Sequence, residues 1–149
     1  MPKPFLVRRM RPSDLDRILQ IERLCFRKDA YDRNLFAAYA RKSGEFFLVA
    51  AADKLVRGYI LGCRYRGEAE LVSVAVDPAA RREGTASILL ESLLRRLKRN
   101  GIGRLRLMVK VTNWRAQRFY RKYGFVKIRL VRRYYEDGRD GWQMEKYLP

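Results

Sequence analysis

Val74-Ala75-Val76-Asp77-Pro78-Ala79-Ala80-Arg81-Arg82-Glu83-Gly84-Thr85-Ala86 carries an apolar strand through a short basic loop into the start of a helix. On the strand side, residues 70–76 are nearly all apolar after Glu70, the pattern of a central strand covered on both faces, and Asp77-Pro78 ends it. On the helix side, Ala86, Leu89, Leu90, Leu93 and Leu97 recur at helical spacing over residues 85–100. Arg95, Arg96, Lys98 and Arg99 suit the negative end of that helix, and Gly101 sits where a C-terminal cap belongs. The turn between the two has the chemistry of an anion site. Unpaired N–H groups of a first helical turn point into it, Gly84 and Ala86 let a ligand come close to the backbone, and Arg81 and Arg82 add charge. An ordinary strand-to-helix turn with solvated arginines has the same local pattern. It is neither a Walker loop, lacking Gly-Lys-Ser/Thr, nor a dinucleotide fingerprint, having one glycine where three are needed.

Working outward, residues 5–9 read as a short strand. Ser13 and Asp16 resemble a capping box before a helix with Leu15, Ile18, Leu19 and Leu24 on its apolar side. After a loop at Lys28-Asp29-Ala30-Tyr31, residues 32–41 predict a second helix, and residues 46–52 and 57–64 a hairpin. Downstream of the long helix, residues 104–110 alternate as a strand, Asn113 caps a helix carrying Ala116, Phe119, Tyr120 and Tyr123, and Gly124 stops it. Strands at residues 125–134 and 141–147 flank a turn at Glu136-Asp137-Gly138-Arg139-Asp140. The order predicts a single α/β domain over residues 1–149, with a mixed central sheet of six to seven strands and about four helices, one of them a crossover between parallel neighbours.

The chain has 149 residues, 48% of them hydrophobic and 34% charged, which excludes a disordered tail. It contains no histidine and two cysteines, which removes Ser-His-Asp and Cys-His catalysis and the usual zinc sites. Glu, Asp, Tyr, Lys or backbone must carry any chemistry. The N-terminal run goes straight into an apolar stretch without a signal-peptide core, and Cys25 and Cys63 lie in hydrophobic segments, so the expectation is a cytoplasmic protein with buried thiols and no membrane span. Net charge is +18, of which +12 falls in residues 76–149. Such a balance fits nucleic acid, an acidic or ribosomal partner, or a polyanionic cofactor.

Val-Asp-Pro-x-x-Arg-Arg-x-Gly-x-Ala before a leucine-rich helix resembles the acetyl-CoA-binding signature of the GNAT superfamily of N-acetyltransferases. Asn113-x-x-Ala116-x-x-Phe119-Tyr120-x-x-x-Gly124-Phe125 resembles its second cofactor segment. The closing Arg132-Arg133-Tyr134-Tyr135-x-Asp137-Gly138-x-Asp140-Gly141-x-x-Met144 is similar to the ending of RimI-type protein N-terminal acetyltransferases. The resemblance implies a GNAT-like domain with acetyl-CoA as co-substrate. It further implies that the backbone amides of Arg82, Glu83, Gly84, Thr85 and Ala86 hold the pyrophosphate, with Arg81 alongside. Val74 and Val76 would lend main-chain groups to the pantetheine arm where two strands splay, and Asn113 would reach that arm from the other side. Tyr120 matches the tyrosine that donates a proton to the departing thiolate; a core aromatic on an amphipathic helix would show the same spacing.

The general base departs from the family pattern. RimI-like enzymes carry Leu-Glu-Val on the strand after the long helix, and this chain has Leu107-Met108-Val109. The substitute is Glu70, since Ala69-Glu70-Leu71-Val72-x-x-Ala75-Val76 is similar to the strand that opens with the catalytic glutamate of lysine-acetylating relatives. Alternation puts Glu70 on one face with Val72, Val74 and Val76; a solvated strand-end carboxylate is the alternative. Glu22 and Asp29 fall where the family's substrate-lining loop lies, and Tyr31, Tyr134 and Tyr135 could line a peptide groove. The reading is an acetyl-CoA-dependent N-acetyltransferase acting on a protein α-amine by direct attack on the thioester. Its rivals are a protein-lysine or small-amine acetyltransferase and a basic nucleic-acid- or ribosome-binding module without turnover.

Overall fold

The computed structural model describes residues 5–149; the reading of the extreme N-terminus falls on residues 1–4, outside the described residues. In chain order the elements are β1 (Leu6–Arg9), α1 (Leu15–Phe26), α2 (Arg33–Ser43), β2 (Phe47–Ala52), β3 (Leu55–Tyr65), β4 (Glu68–Val76), α3 (Thr85–Arg99), β5 (Arg104–Lys110), α4 (Trp114–Lys122), β6 (Val126–Val131) and β7 (Gly141–Tyr147). They form one seven-stranded sheet in the order β1-β2-β3-β4-β5-β7-β6. All neighbours are antiparallel except β4 and β5, which are parallel and joined by the crossover helix α3. Among the described residues no helix is long and apolar enough to cross a membrane.

Each sheet face has its own core. Leu89, Leu90, Leu93 and Leu97 of α3, with Tyr120 of α4, pack on Leu48, Ile60, Leu71, Leu105 and Leu107. Ile18, Leu19 and Ile21 of α1, with Phe36 of α2, cover Phe47, Tyr59, Leu61 and Ala75 on the opposite face. Gly58 lets α3 approach: a Cβ there would sit 2.9 Å from the Ala75 carbonyl oxygen and 3.2 Å from Thr85 Cγ2.

Several local expectations are corrected. Leu24 is exposed and lies off the apolar side of α1. Ser13 is not the capping residue; Asp14 accepts from the Arg11 N–H at 2.7 Å and pairs with Arg8, closing the turn before α1. Of the two thiols, Cys63 is buried and Cys25 only partly so. Strand β6 ends at Val131, earlier than the sequence pattern suggests, because Arg133 turns left-handed at φ 51°. Strand β4 begins two residues before Glu70, so that carboxylate is not at a strand end.

Two irregularities in β4 shape the functional region. Its pairing with β5 stops after Ala69↔Leu105 and Glu70↔Arg106, and the two strands diverge beyond that point. Along the β3 edge the register slips between Leu61↔Ser73 and Gly62↔Leu71, leaving Val72 as the extra residue of a β-bulge. The bulge breaks the expected alternation. Leu71 and Val74 contact the α3 core, whereas Val72 and Ala75 contact the α1–α2 core. Glu70 and Val72 therefore do not share a face with Val74.

Candidate active site

The loop from Asp77 to Gly84 is fixed at its strand end. Asp77 accepts from the Ala79 N–H at 2.9 Å and pairs with Arg17, and its own N–H donates to the Arg57 carbonyl at 2.8 Å. These donors hold the Asp77 carboxyl below the usual carboxylate range. Arg17 also donates to the Val56 carbonyl at 2.9 Å, so one guanidinium ties α1 to β3 and to the start of the turn. Farther along, Arg82 and Gly84 are both left-handed, at φ 67° and 81°. Left-handed residues in such a turn gather successive N–H groups into an anion-binding concavity. Gly84, at the N-cap of α3, has no side chain to cap the helix. A Cβ on Gly84 would meet nothing within 4 Å, so the concavity is open. A pyrophosphate fits these donors: free first-turn amides, the positive end of a 15-residue helix and exposed Arg81 and Arg82.

Beside that cradle, among the described residues, the β5-facing edge of β4 past Glu70 has no strand partner, and Val74 and Val76 lie on that stretch. Asn113 stands across the cleft at the start of α4. Its side chain accepts from the Ala116 N–H at 3.1 Å, so the carbonyl is engaged as a helix cap and its amide nitrogen remains for a ligand. Gln117, which the sequence reading did not single out, is buried and donates to the Lys110 and Val111 carbonyls at 3.0 and 2.9 Å, fixing the turn that carries Asn113. Tyr120, one turn on, is 8% exposed, and burial raises its phenol above the ordinary range. Among the described residues nothing hydrogen-bonds to its hydroxyl.

The tyrosines expected at a peptide groove come together. Tyr134 and Tyr135 pack edge to face at 4.9 Å. Burial lifts the Tyr135 phenol, and it lies close enough to Tyr134, Tyr31 and Tyr120 to feel each of them. Glu70 is felt by Tyr31, Tyr39 and Tyr134, placing its carboxylate at the same gathering. Among the described residues that carboxylate has no hydrogen bond or ion pair. Asp29 is engaged: Lys110 Nζ lies 3.4 Å from it, 3.0 Å from Asp137 and 5.2 Å from the Tyr135 ring centre. One ammonium thus clasps the loop before α2 and the β6–β7 loop to the end of β5, which makes Asp29 a strut. The roles of Lys110, Asp137 and Tyr39 were not foreseen, because a single charge or aromatic without a repeat carries no pattern.

Glu22 is 1% exposed. It accepts from the Tyr59 hydroxyl, from Ser73 Oγ at 3.4 Å and from the Tyr31 N–H at 2.9 Å. Burial raises its carboxyl above the usual range, with these donors acting in the opposite direction. It ties the loop after α1 to β3 and to the bulged part of β4. In Glu22→Ala the Tyr31 N–H and the Tyr59 and Ser73 hydroxyls lose their common acceptor, so the loop should loosen and the acceptor KM rise severalfold, with acetyl-CoA affinity unchanged in calorimetry. The pH dependence follows from linkage. A carboxyl with a raised folded pKa is best tolerated below its unfolded value and costs stability as pH climbs through the folded one. The melting temperature of Glu22→Gln relative to wild type should therefore increase from pH 4 towards neutrality.

Comparison with known proteins accords with this geometry. The profile described as Acetyltransferase (GNAT) family matches residues 15–125. An N-alpha-acetyltransferase of Saccharolobus solfataricus is 31% identical over 98% of this chain and 95% of its own length. The structure of Ard1 from Thermoplasma volcanium superposes with a TM-score of 0.93 at 29% identity, covering 97% of this chain and 98% of that one. The ribosomal-protein-S18-alanine N-acetyltransferase from Escherichia coli superposes at 0.86 with 25% identity, over 97% and 94% of the two chains.

Proposed function

The chain belongs to the GNAT acetyltransferase family, and on that premise we propose that it transfers the acetyl group of acetyl-CoA to the N-terminal α-amine of a protein. The observation that carries the acceptor class is the gathering of Tyr31, Tyr134 and Tyr135, the last two packed at 4.9 Å, near Glu70, the residue at which β4 stops pairing with β5. Aromatic walls with one uncommitted carboxylate suit a chain end carrying one amine. An α-amine has a pKa near 8 and is partly neutral at pH 7. A lysine near 10.4 needs about 4–5 kcal/mol of help to lose its proton at pH 7, about 3 kcal/mol more than the α-amine. Relatives named as N-alpha- and S18-alanine acetyltransferases support the same acceptor.

In this reading the amides of Arg82 to Ala86 and the guanidinium of Arg81 hold the pyrophosphate, and main-chain groups of Val74 and Val76 line the pantetheine arm. Glu70 accepts the proton that the amine loses as its nitrogen bonds to the thioester carbonyl carbon. The carbon–sulfur bond then breaks, and Tyr120 faces the departing sulfur. Transfer from a phenol raised above its ordinary value of about 10 to a thiolate of about 8.5 is uphill. Tyr120 thus serves first as a donor hydrogen bond into the developing charge, which requires no completed transfer. It stays protonated below about pH 10, so no alkaline loss of rate in that range should trace to it.

The test of the base is Glu70→Gln with a peptide acceptor. Its rate should fall chiefly at pH 6–7 and recover in part near pH 9, where more of an α-amine is already neutral; a lysine acceptor should recover less. Wild-type rates across that range would remove Glu70 from the mechanism and leave Glu22, or water, to take the proton.

A further inference from the structure

Between Glu91 and Glu136 the chain has fifteen Lys and Arg residues and no Asp or Glu. Much of this charge lands on one side of the molecule. Helices α3 and α4 both pack on the same sheet face, and Tyr123 at the end of α4 reaches Glu91 on α3 at 3.2 Å. On α4 the outward residues are Trp114, Arg115, Arg118, Arg121 and Lys122, all exposed. They follow helical spacing, so the four cations form a stripe about 10 Å long. Arg95, Lys98 and Arg99 are exposed on the last turns of α3. Among the described residues none of these seven cations has an ion pair. The crowding is felt: burial, Arg99 and Arg9 together lower the Arg96 guanidinium below its ordinary value. Trp114 is 74% exposed at the head of the stripe, the most exposed large hydrophobic side chain described.

Uncompensated like charge costs folding free energy, and an unburied indole costs hydration. Unpaired bases on a phosphodiester chain answer both, through counterion release at the stripe and stacking on the indole. An acidic polypeptide answers only the first. We infer that the outer face of α4, extended by the C-terminal turns of α3, binds single-stranded polynucleotide. Tyr31 packs on Phe36 and Tyr39 joins the α1–α2 core, on the sheet face opposite α3 and α4, so acceptor and polynucleotide can be engaged together. This inference does not depend on the acetyl-transfer reading.

The probe is a fluorescein-labelled single-stranded RNA of about 15 nucleotides, followed by anisotropy from 50 to 200 mM KCl, with poly-glutamate as competitor. Wild type should bind with an affinity that falls steeply with salt, by about 0.7 in logarithmic slope for each phosphate neutralised. Arg118→Gln/Arg121→Gln should make that slope shallower by about 1.4. Trp114→Ala should weaken binding about tenfold and leave the slope unchanged, the signature of a lost stacking platform. Melting curves establish that each variant is folded. Wild-type affinity in the double glutamine variant overturns the inference, as does an indifferent Trp114→Ala. Displacement by poly-glutamate at equal charge concentration would assign the face to an acidic protein instead and equally overturn it.

Discussion

Tyr120→Phe is expected to lower kcat by about 100-fold or more while leaving acetyl-CoA affinity within about twofold. The ring would keep its place. Tyr120 packs edge to face on Phe119 at 5.5 Å and Phe125 at 5.6 Å, contacts that phenylalanine retains. What goes is a hydroxyl with no hydrogen-bond partner among the described residues, so its removal breaks no internal bond. A hydroxyl that makes no internal hydrogen bond contributes none to the folded state, and Tyr120→Phe should accordingly melt no lower than wild type. Stopped-flow and steady-state rates with a peptide acceptor, read beside a melting curve, separate the two roles. Lower kcat with undiminished stability places the hydroxyl on the reacting sulfur. A fall in stability with little change in kcat would return Tyr120 to the core.

Gly84→Glu should weaken acetyl-CoA binding by about 100-fold or more. Two costs combine. A non-glycine residue at φ 81° carries about 1–2 kcal/mol of strain, and a carboxylate about 4 Å from a phosphate repels it by about 4 kcal/mol at an effective dielectric of 20. Gly84→Ala isolates the first, because its methyl meets nothing within 4 Å. It should cost tenfold or less. Equal losses in the two variants would mean that backbone strain, and not phosphate, is what the position governs. Calorimetric titration with acetyl-CoA reads both directly.

The parts of this molecule that repeat were legible in the sequence. The leucine spacing of α3, the alternation of β5 and the Asp77-Pro78 stop are periodic or steric signals, and each lies where the pattern put it. The cradle was legible because glycine at a strand-to-helix turn has few uses, and here Gly84 is left-handed with open space above it. Face assignments in β4 were not. A bulge inserts one residue without any compositional mark, so strict alternation carried Glu70 to the side of Val74, although Val72 turns the strand over between them. The Lys110 clasp and the Glu22 anchor were equally hidden. Both join residues far apart in the chain, Asp29 to Lys110 and Glu22 to Tyr59 and Ser73, and one sequence holds no record of such pairings. Glu22 was noticed only by its place near the acceptor loop, and the structure makes it the most enclosed of the candidate carboxylates.

The proposed acceptor class stands or falls on where the acetyl group goes. The direct measurement is to incubate the enzyme with acetyl-CoA and a peptide that has both a free N-terminus and an internal lysine, then locate the modification by fragment-ion mass spectrometry. One acetyl group on the first residue, absent when the peptide's α-amine is blocked beforehand, is the expected result. Acetylation confined to the lysine, or persisting at full rate on the blocked peptide, would contradict it.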